Sequence, residues 1–169
     1  MKKIFTTLLA LCLLNTASFS DVKLGIILGF TGPIESLTPD MAAGAELAID
    51  EINKSKHFSM GKVSGVRADS TCVDSAAATT AAERLITSDK VNGIMGADCS
   101  GVTTAILQQV AMANGMVMVS PSATSPALST VEDNGLFFRT APSDARQGQV
   151  VADILKEKGL TNIAISYVN

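Results

Sequence analysis

The chain has 169 residues, 47% of them hydrophobic and only 4% aromatic, with 13 Lys and Arg against 16 Asp and Glu. That acidic balance, with no basic run and no patch of interleaved aromatics, argues against nucleic acid as a partner. One histidine and the two cysteines beyond the first twenty residues, Cys72 and Cys99, cannot furnish an ordinary zinc cage.

The N-terminus reads as an export leader. Lys2 and Lys3 form a positive start, Ile4 to Leu14 is an apolar run too short to span a bilayer, and Ser18-Phe19-Ser20 fits a small-x-small cleavage site. Cleavage before Asp21 is therefore expected, giving a soluble exported protein located in the periplasm. A lipoprotein anchor at Cys12 is the competing reading, but Leu9-Ala10-Leu11 puts a bulky residue where a small one is usual. Taking Lys2 and Lys3 from the 13 basic residues leaves 11 against 16 acidic ones, a net charge of −5. Two cysteines remain after cleavage, Cys72 and Cys99. An even number in an oxidising compartment favours a disulfide, and two reduced thiols are the alternative.

Strand and helix patterns alternate through the rest. Val22 to Gly29 is a continuous apolar run, as in a buried parallel strand. Thr38 as N-cap, with Pro39 and Asp40 behind it, starts a helix running to about Asn53, whose expected inner face is Met41, Ala45, Ala48 and Ile52. Lys62 to Ala68 is a second strand. Asp74 caps a helix over Ser75 to Ser88, with Ala77, Ala81, Leu85 and Ile86 inward. Val91 to Gly96, a helix from Gly101 to Asn114 closed by Gly115, and Met116 to Ser120 follow. Leu136 to Thr140, a Ser143-capped helix ending at Lys158-Gly159, and a sixth strand at Asn162 to Tyr167 complete the pattern. The fold class expected is α/β, a doubly wound parallel sheet built from right-handed βαβ units. Ala141-Pro142-Ser143 marks a composition shift. It divides an N-terminal lobe, 21–142, from the start of a second lobe, 143–169. An end at Asn169, directly after a buried strand, reads as a truncated sequence.

Two strand ends carry the chemistry. Gly93-Ile94-Met95-Gly96 leads to Asp98-Cys99-Ser100-Gly101, and Met116-Val117-Met118-Val119 leads to Ser120-Pro121-Ser122-Ala123-Thr124-Ser125-Pro126. In open parallel sheets, ligands sit beyond the carboxyl ends of the strands. Hydroxyls and free N–H groups there suit a small carboxylate, with Ser100, Ser122 and Thr124 as the candidate donors. For any one of them alone, ordinary capping and turn chemistry is the simpler reading. The first loop, Gly29-Phe30-Thr31-Gly32-Pro33, matches no phosphate-binding motif; Phe30 or Leu37 is placed to line an apolar wall. A Cys99 or Ser100 nucleophile would need a base, and the lone His57 sits in a polar connector without GxSxG anywhere. No metal site and no cofactor is expected; Met112, Met116 and Met118 read as core.

In order and spacing these pieces resemble the periplasmic leucine/isoleucine/valine-binding protein family, the type I substrate-binding components of ABC importers. Lys23-Leu24-Gly25-Ile26-Ile27-Leu28-Gly29 with Thr31-Gly32-Pro33, Gly44 to Asn53, Cys72 with Cys99, the Ser120 to Pro126 run, Phe138-Arg139-Thr140, Asp144 and Gln147-Gly148 carry the resemblance. It implies two lobes closing on a ligand by hinge motion. It also implies that Ser100 holds the ligand carboxylate, while the positions of Ser122, Ala123 and Thr124 contact carboxylate and ammonium. Relatives often carry alanine at Ser122, which points to its backbone. Leu37 stands where relatives can place an aromatic, so with Phe30 nearby the resemblance does not carry over a side-chain preference. The remaining contacts would come from a second lobe. The function implied is capture of a small amino acid, branched-chain or similar, by a monomer that serves an inner-membrane ABC permease. The alternatives are an amide, urea or aromatic-acid ligand, a receptor sensing domain, or a Cys/Ser hydrolase.

Overall fold

The computed structural model describes residues 21–55, 58 and 61–165; the leader with Cys12, the connector residue His57 and Tyr167 lie outside them. The elements are β1 (Val22–Leu28), α1 (Thr38–Lys54), β2 (Val63–Asp69), α2 (Ser75–Thr87), β3 (Gly93–Gly96) and α3 (Ser100–Ile106). A π-helical turn, Leu107–Ala111, carries α3 into α4 (Met112–Asn114). Then come β4 (Met118–Ser120), a 3-10 turn (Pro126–Ser129), β5 (Phe137–Arg139) and α5 (Asp144–Glu157). The strands form one sheet in the order β2-β1-β3-β4-β5, and every pairing is parallel. This is the α/β, doubly wound sheet expected from the alternation.

β1 is apolar on both faces because both are covered. Ile26 and Leu28 pack with Ala42 and Ile49 of α1, whereas Ile27 packs with Ala78 and Leu85 of α2 and Ile106 of α3. Ile26, Ile27 and Leu28 are at most 1% exposed, and full burial of each stabilises the fold by about 1.5–3 kcal/mol. Met116 and Met118 are buried beneath α3, and Met112 packs against the same core.

Several local signals hold. The Asp74 carboxylate accepts from the N–H groups of Ala76 and Ala77 at 2.9 and 3.0 Å. Ser143 accepts from Ala145 N–H, and Gly115 ends α4 in the left-handed conformation. Others need correction. Thr38 does not cap α1 through its side chain; its buried hydroxyl donates backwards to the Gly29 and Glu35 carbonyls at 3.1 and 3.4 Å. The inner face of α1 is Thr38, Ala42 and Ile49 with Met41 and Ala45 beside them, while Ala48 and Ile52 are exposed. In α2 the expected Leu85 is buried and the expected Ala81 and Ile86 pack against the same core, but Ala78 and Ala82 are the fully buried alanines and Ala77 is not among them. A helix rotates about 100° per residue, so Ala-rich helices leave the choice of face to the sheet they meet. The expected sixth strand does not form over residues 162–165, which are exposed and unpaired; residues 166–169 lie outside the described part. A strand needs a neighbouring ladder for its backbone, and no described strand lies beside it.

The chain leaves β1 toward β2 on one side and β3 lies on the other, so the loops after β1 and β3 diverge. This reversal of strand order opens a crevice at the carboxyl edge of β1 and β3. Among the described residues no helix is long and apolar enough to cross a membrane.

Candidate functional site

Three short loops meet at this edge, and buried polar groups lace them together. Asp98, 3% exposed, follows β3. Its carboxylate accepts from Gly29 N–H after β1 at 2.9 Å and from the Ser70 hydroxyl after β2 at 3.2 Å. The Cys72–Cys99 disulfide bridges the β2 and β3 loops, 27 residues apart in sequence. Gly29 lies directly beneath it, where an added Cβ would come within 3.2 Å of Cys72 Cβ and of the Asp98 carboxylate. The sulfur of Cys99 is thus committed to Cys72, which leaves the hydrolase reading without a thiol nucleophile.

Asp69 makes a second clasp. Its carboxylate takes the Thr31 hydroxyl and N–H on the β1 loop and Thr71 N–H on its own loop. Burial alone would raise its pKa, but hydrogen bonds from Thr31, Thr71 and Phe30 outweigh it and hold the carboxyl below its ordinary value. A lowered folded-state pKa means stability that is present above the unfolded value, about 3.9, and lost as pH falls through the folded one. Asp69→Asn should therefore cost about 1–2 kcal/mol at neutral pH. In urea titrations the variant and wild-type curves should converge as pH falls through the lowered folded-state value. A difference that persists unchanged in acid would mean the charge is not what matters.

The two hydroxyl-rich strand ends do come together. Ser100, half-buried in the first turn of α3, accepts the Ser125 N–H on Oγ at 3.1 Å. Its O–H remains available to donate. Ser122 donates to the Asp98 carbonyl at 3.0 Å, so its hydroxyl joins the β4 loop to the β3 loop. Ala123 is buried, its N–H held by Ser120 Oγ at 2.9 Å. Thr124 gives its hydroxyl to Asp144 at 2.9 Å, and its carbonyl accepts the Asp144 N–H. Its own N–H has no intramolecular partner among the described residues. The arrangement thus presents Ser100 O–H and Thr124 N–H, both neutral donors, at adjacent strand ends.

The candidate apolar wall is split. Phe30 packs on the α1 side of the sheet, its ring 5.4 Å from the Arg67 guanidinium carbon, and Arg67 makes a two-pronged pair with Glu46 at 2.7 and 2.8 Å. Leu37 is 57% exposed on the loop before α1. Reading the residues singly missed Asp69, Ser120 and the structural work of Asp98; a carboxylate at the end of an apolar strand was the available signal. Among the described residues no cluster of three His, Cys, Asp or Glu could hold a metal. A concavity of about 1200 Å³ lies between α5 and the segment after it, lined by Val151, Leu155, Leu160 and Ile163 among others. It offers few polar groups to orient a ligand, and the strand-end crevice has the donors.

Comparison with known proteins bears on the fold and the family. Residues 40–169 match the receptor family ligand binding region. The chain is 30% identical over 154 residues to the Leu/Ile/Val-binding protein homolog 3 of Brucella melitensis, covering 89% of this chain and 40% of that protein. It is 28% identical over 157 residues to the Leu/Ile/Val-binding protein of Escherichia coli, covering 93% and 42%. The branched-chain amino acid transporter substrate binding protein LivJ of Streptococcus pneumoniae, solved in complex with isoleucine, superposes with a TM-score of 0.73 at 28% identity. That match covers 82% of this chain and 39% of LivJ. A solute binding protein of Rhodopseudomonas palustris in complex with 3,4-dihydroxybenzoic acid shares the fold at 19% identity, with a TM-score of 0.72. The chain spans about 40% of the length of the curated relatives it matches. With a five-stranded parallel sheet in this order and a match over residues 40–169, the chain belongs to the receptor family ligand binding region, and the Leu/Ile/Val-binding proteins are its relatives.

Proposed function

We propose that this chain supplies the carboxylate-binding lobe of an exported amino-acid-binding protein that delivers its ligand to an ABC permease in the inner membrane. The observation that carries the reading is the pair of neutral donors, Ser100 O–H and Thr124 N–H, presented together at the β3 and β4 ends. Neutral donors in a cleft that closes over them hold a carboxylate without a counter-charge, so ligand is bound firmly and still released. No bond is made or broken in this role. Relatives named for leucine, isoleucine and valine support a branched-chain side chain as the preference. Residues 21–142 form the lobe and 143–169 open the next one. In support, α5 has no buried side chain, and its Asp144 accepts the Thr124 hydroxyl. The protein acts in the periplasm, as a monomer, after loss of residues 1–20.

Ser100→Ala in the intact protein tests the site. It removes one hydrogen bond to a charged group, about 1.5–3 kcal/mol, so affinity should fall about 10- to 100-fold with the fold retained. Ser122→Ala should change affinity far less, because its hydroxyl is spent on the Asp98 carbonyl. Calorimetry with leucine, isoleucine and valine reads both variants. Undiminished binding by Ser100→Ala would misplace the site; a wild-type protein that binds none of the three would overturn the ligand class.

A further inference from the structure

Arg139 ends β5, half-buried, and forms no ion pair with a carboxylate among the described residues. Its guanidinium is spent instead on neutral oxygens. One terminal nitrogen donates to the carbonyls of Ala123 at 3.1 Å and Ser125 at 2.8 Å, and the other donates to the Ser129 hydroxyl. These acceptors flank Thr124 on both sides. A rigid planar fork that takes both neighbouring carbonyls leaves the intervening peptide groups little freedom. The peptide joining Ala123 to Thr124 has its carbonyl on Arg139 and its N–H free, so the bond to a cation polarises that N–H as a donor. The next peptide has its N–H, that of Ser125, on Ser100 Oγ, which leaves the Ser100 O–H to donate elsewhere.

We infer that Arg139 is the positioning residue of the binding edge: by holding the carbonyls of Ala123 and Ser125 it aims and polarises the Thr124 N–H and keeps the Ser125–Ser100 bond in register. The ligand never touches it. The guanidinium lends the loop cationic character from behind without an exposed charge in the cleft, which suits an anionic ligand group. This role rests on the carboxylate-binding reading above, and its test separates the two.

The test uses the intact protein as wild type, Arg139→Met and Arg139→Lys. Affinity for L-leucine, L-isoleucine and L-valine is measured by calorimetry, and amide hydrogen exchange is followed residue by residue without ligand. Arg139→Met should bind about 10-fold more weakly and exchange the Ser125 N–H about 10-fold faster, with Ile26 and Ile27 in β1 unchanged. Arg139→Lys should recover part of both effects, since an ammonium restores the charge and not the fork. A general loss of stability would speed exchange in β1 as well, and that outcome would overturn the positioning role. So would wild-type affinity in Arg139→Met. If Arg139→Met does not fold, Arg139→Lys decides by the same two readouts, with unchanged values in both overturning the role. If wild type binds no amino acid, the ligand reading falls and the Ser125 exchange rate alone decides: faster exchange confined to residues 123–125 supports the positioning role, and unchanged exchange overturns it.

Discussion

Gly96→Ala should destabilise the protein by about 3–5 kcal/mol, through strain at a disallowed backbone conformation together with overpacking. Gly96 closes β3 with φ at +131°, a region that side chains rarely enter. An added Cβ would stand 2.1 Å from the Ile27 carbonyl oxygen and 2.7 Å from Ile27 Cγ2. Ile27 is fully buried in β1, an interior strand, and registered opposite Gly96, so neither group has room to retreat. The two neighbours that β3 would have to push are α2 and α3, already packed on that face. Urea denaturation reads the effect as a lower midpoint at constant slope. A midpoint equal to wild type would show that the strand end relaxes freely, and the crevice would then be softer than its hydrogen bonds indicate.

Removing the Cys72–Cys99 disulfide is the second large effect. The bridge spans 27 residues, for which the chain-entropy account gives about 3–4 kcal/mol. The Cys72→Ala/Cys99→Ala double variant should therefore melt roughly 10 °C lower. Reductant should bring wild type down to the same temperature and leave the variant where it is. Equal melting of the two proteins without reductant would mean that the bridge does not form in the exported protein. Binding should weaken as well, because Cys99 immediately precedes Ser100 and the bridge fixes where α3 begins. That consequence is separable from stability by titrating well below the melting temperature.

Local devices are legible in the sequence. Asp74, Ser143 and Gly115 act within two or three residues of themselves, and each does what its residue type does in isolated helices. The continuous apolar run of β1 marks a strand buried on both faces, and the even pair of cysteines beyond the expected leader points to a bridge. Two hydroxyl groups are claimed by distant partners. Thr38 has an ordinary capping residue type, yet the Gly29 carbonyl nine residues earlier captures its hydroxyl. Ser122 has a hydroxyl suited to a ligand, yet the Asp98 carbonyl 24 residues away takes it. In both cases a competitor distant in sequence wins because burial makes an unsatisfied carbonyl costly.

Periodicity, propensity and composition act over a few residues, and they are enough to set the class of sheet and most element positions. They also mark the two cysteines to be joined and the strand ends where hydroxyl groups gather. Which of those hydroxyls stays free is a matter of long-range packing. Ser100 keeps its O–H because Ser125 N–H approaches as a donor from 25 residues away, while Ser122 and Thr124 give theirs to Asp98 and Asp144. Packing also brings Asp98 to Gly29 across 69 residues and Arg139 behind Thr124. A hydrogen bond depends on distances of a few tenths of an ångström, and such distances between remote segments are set by how the helices seat on the sheet.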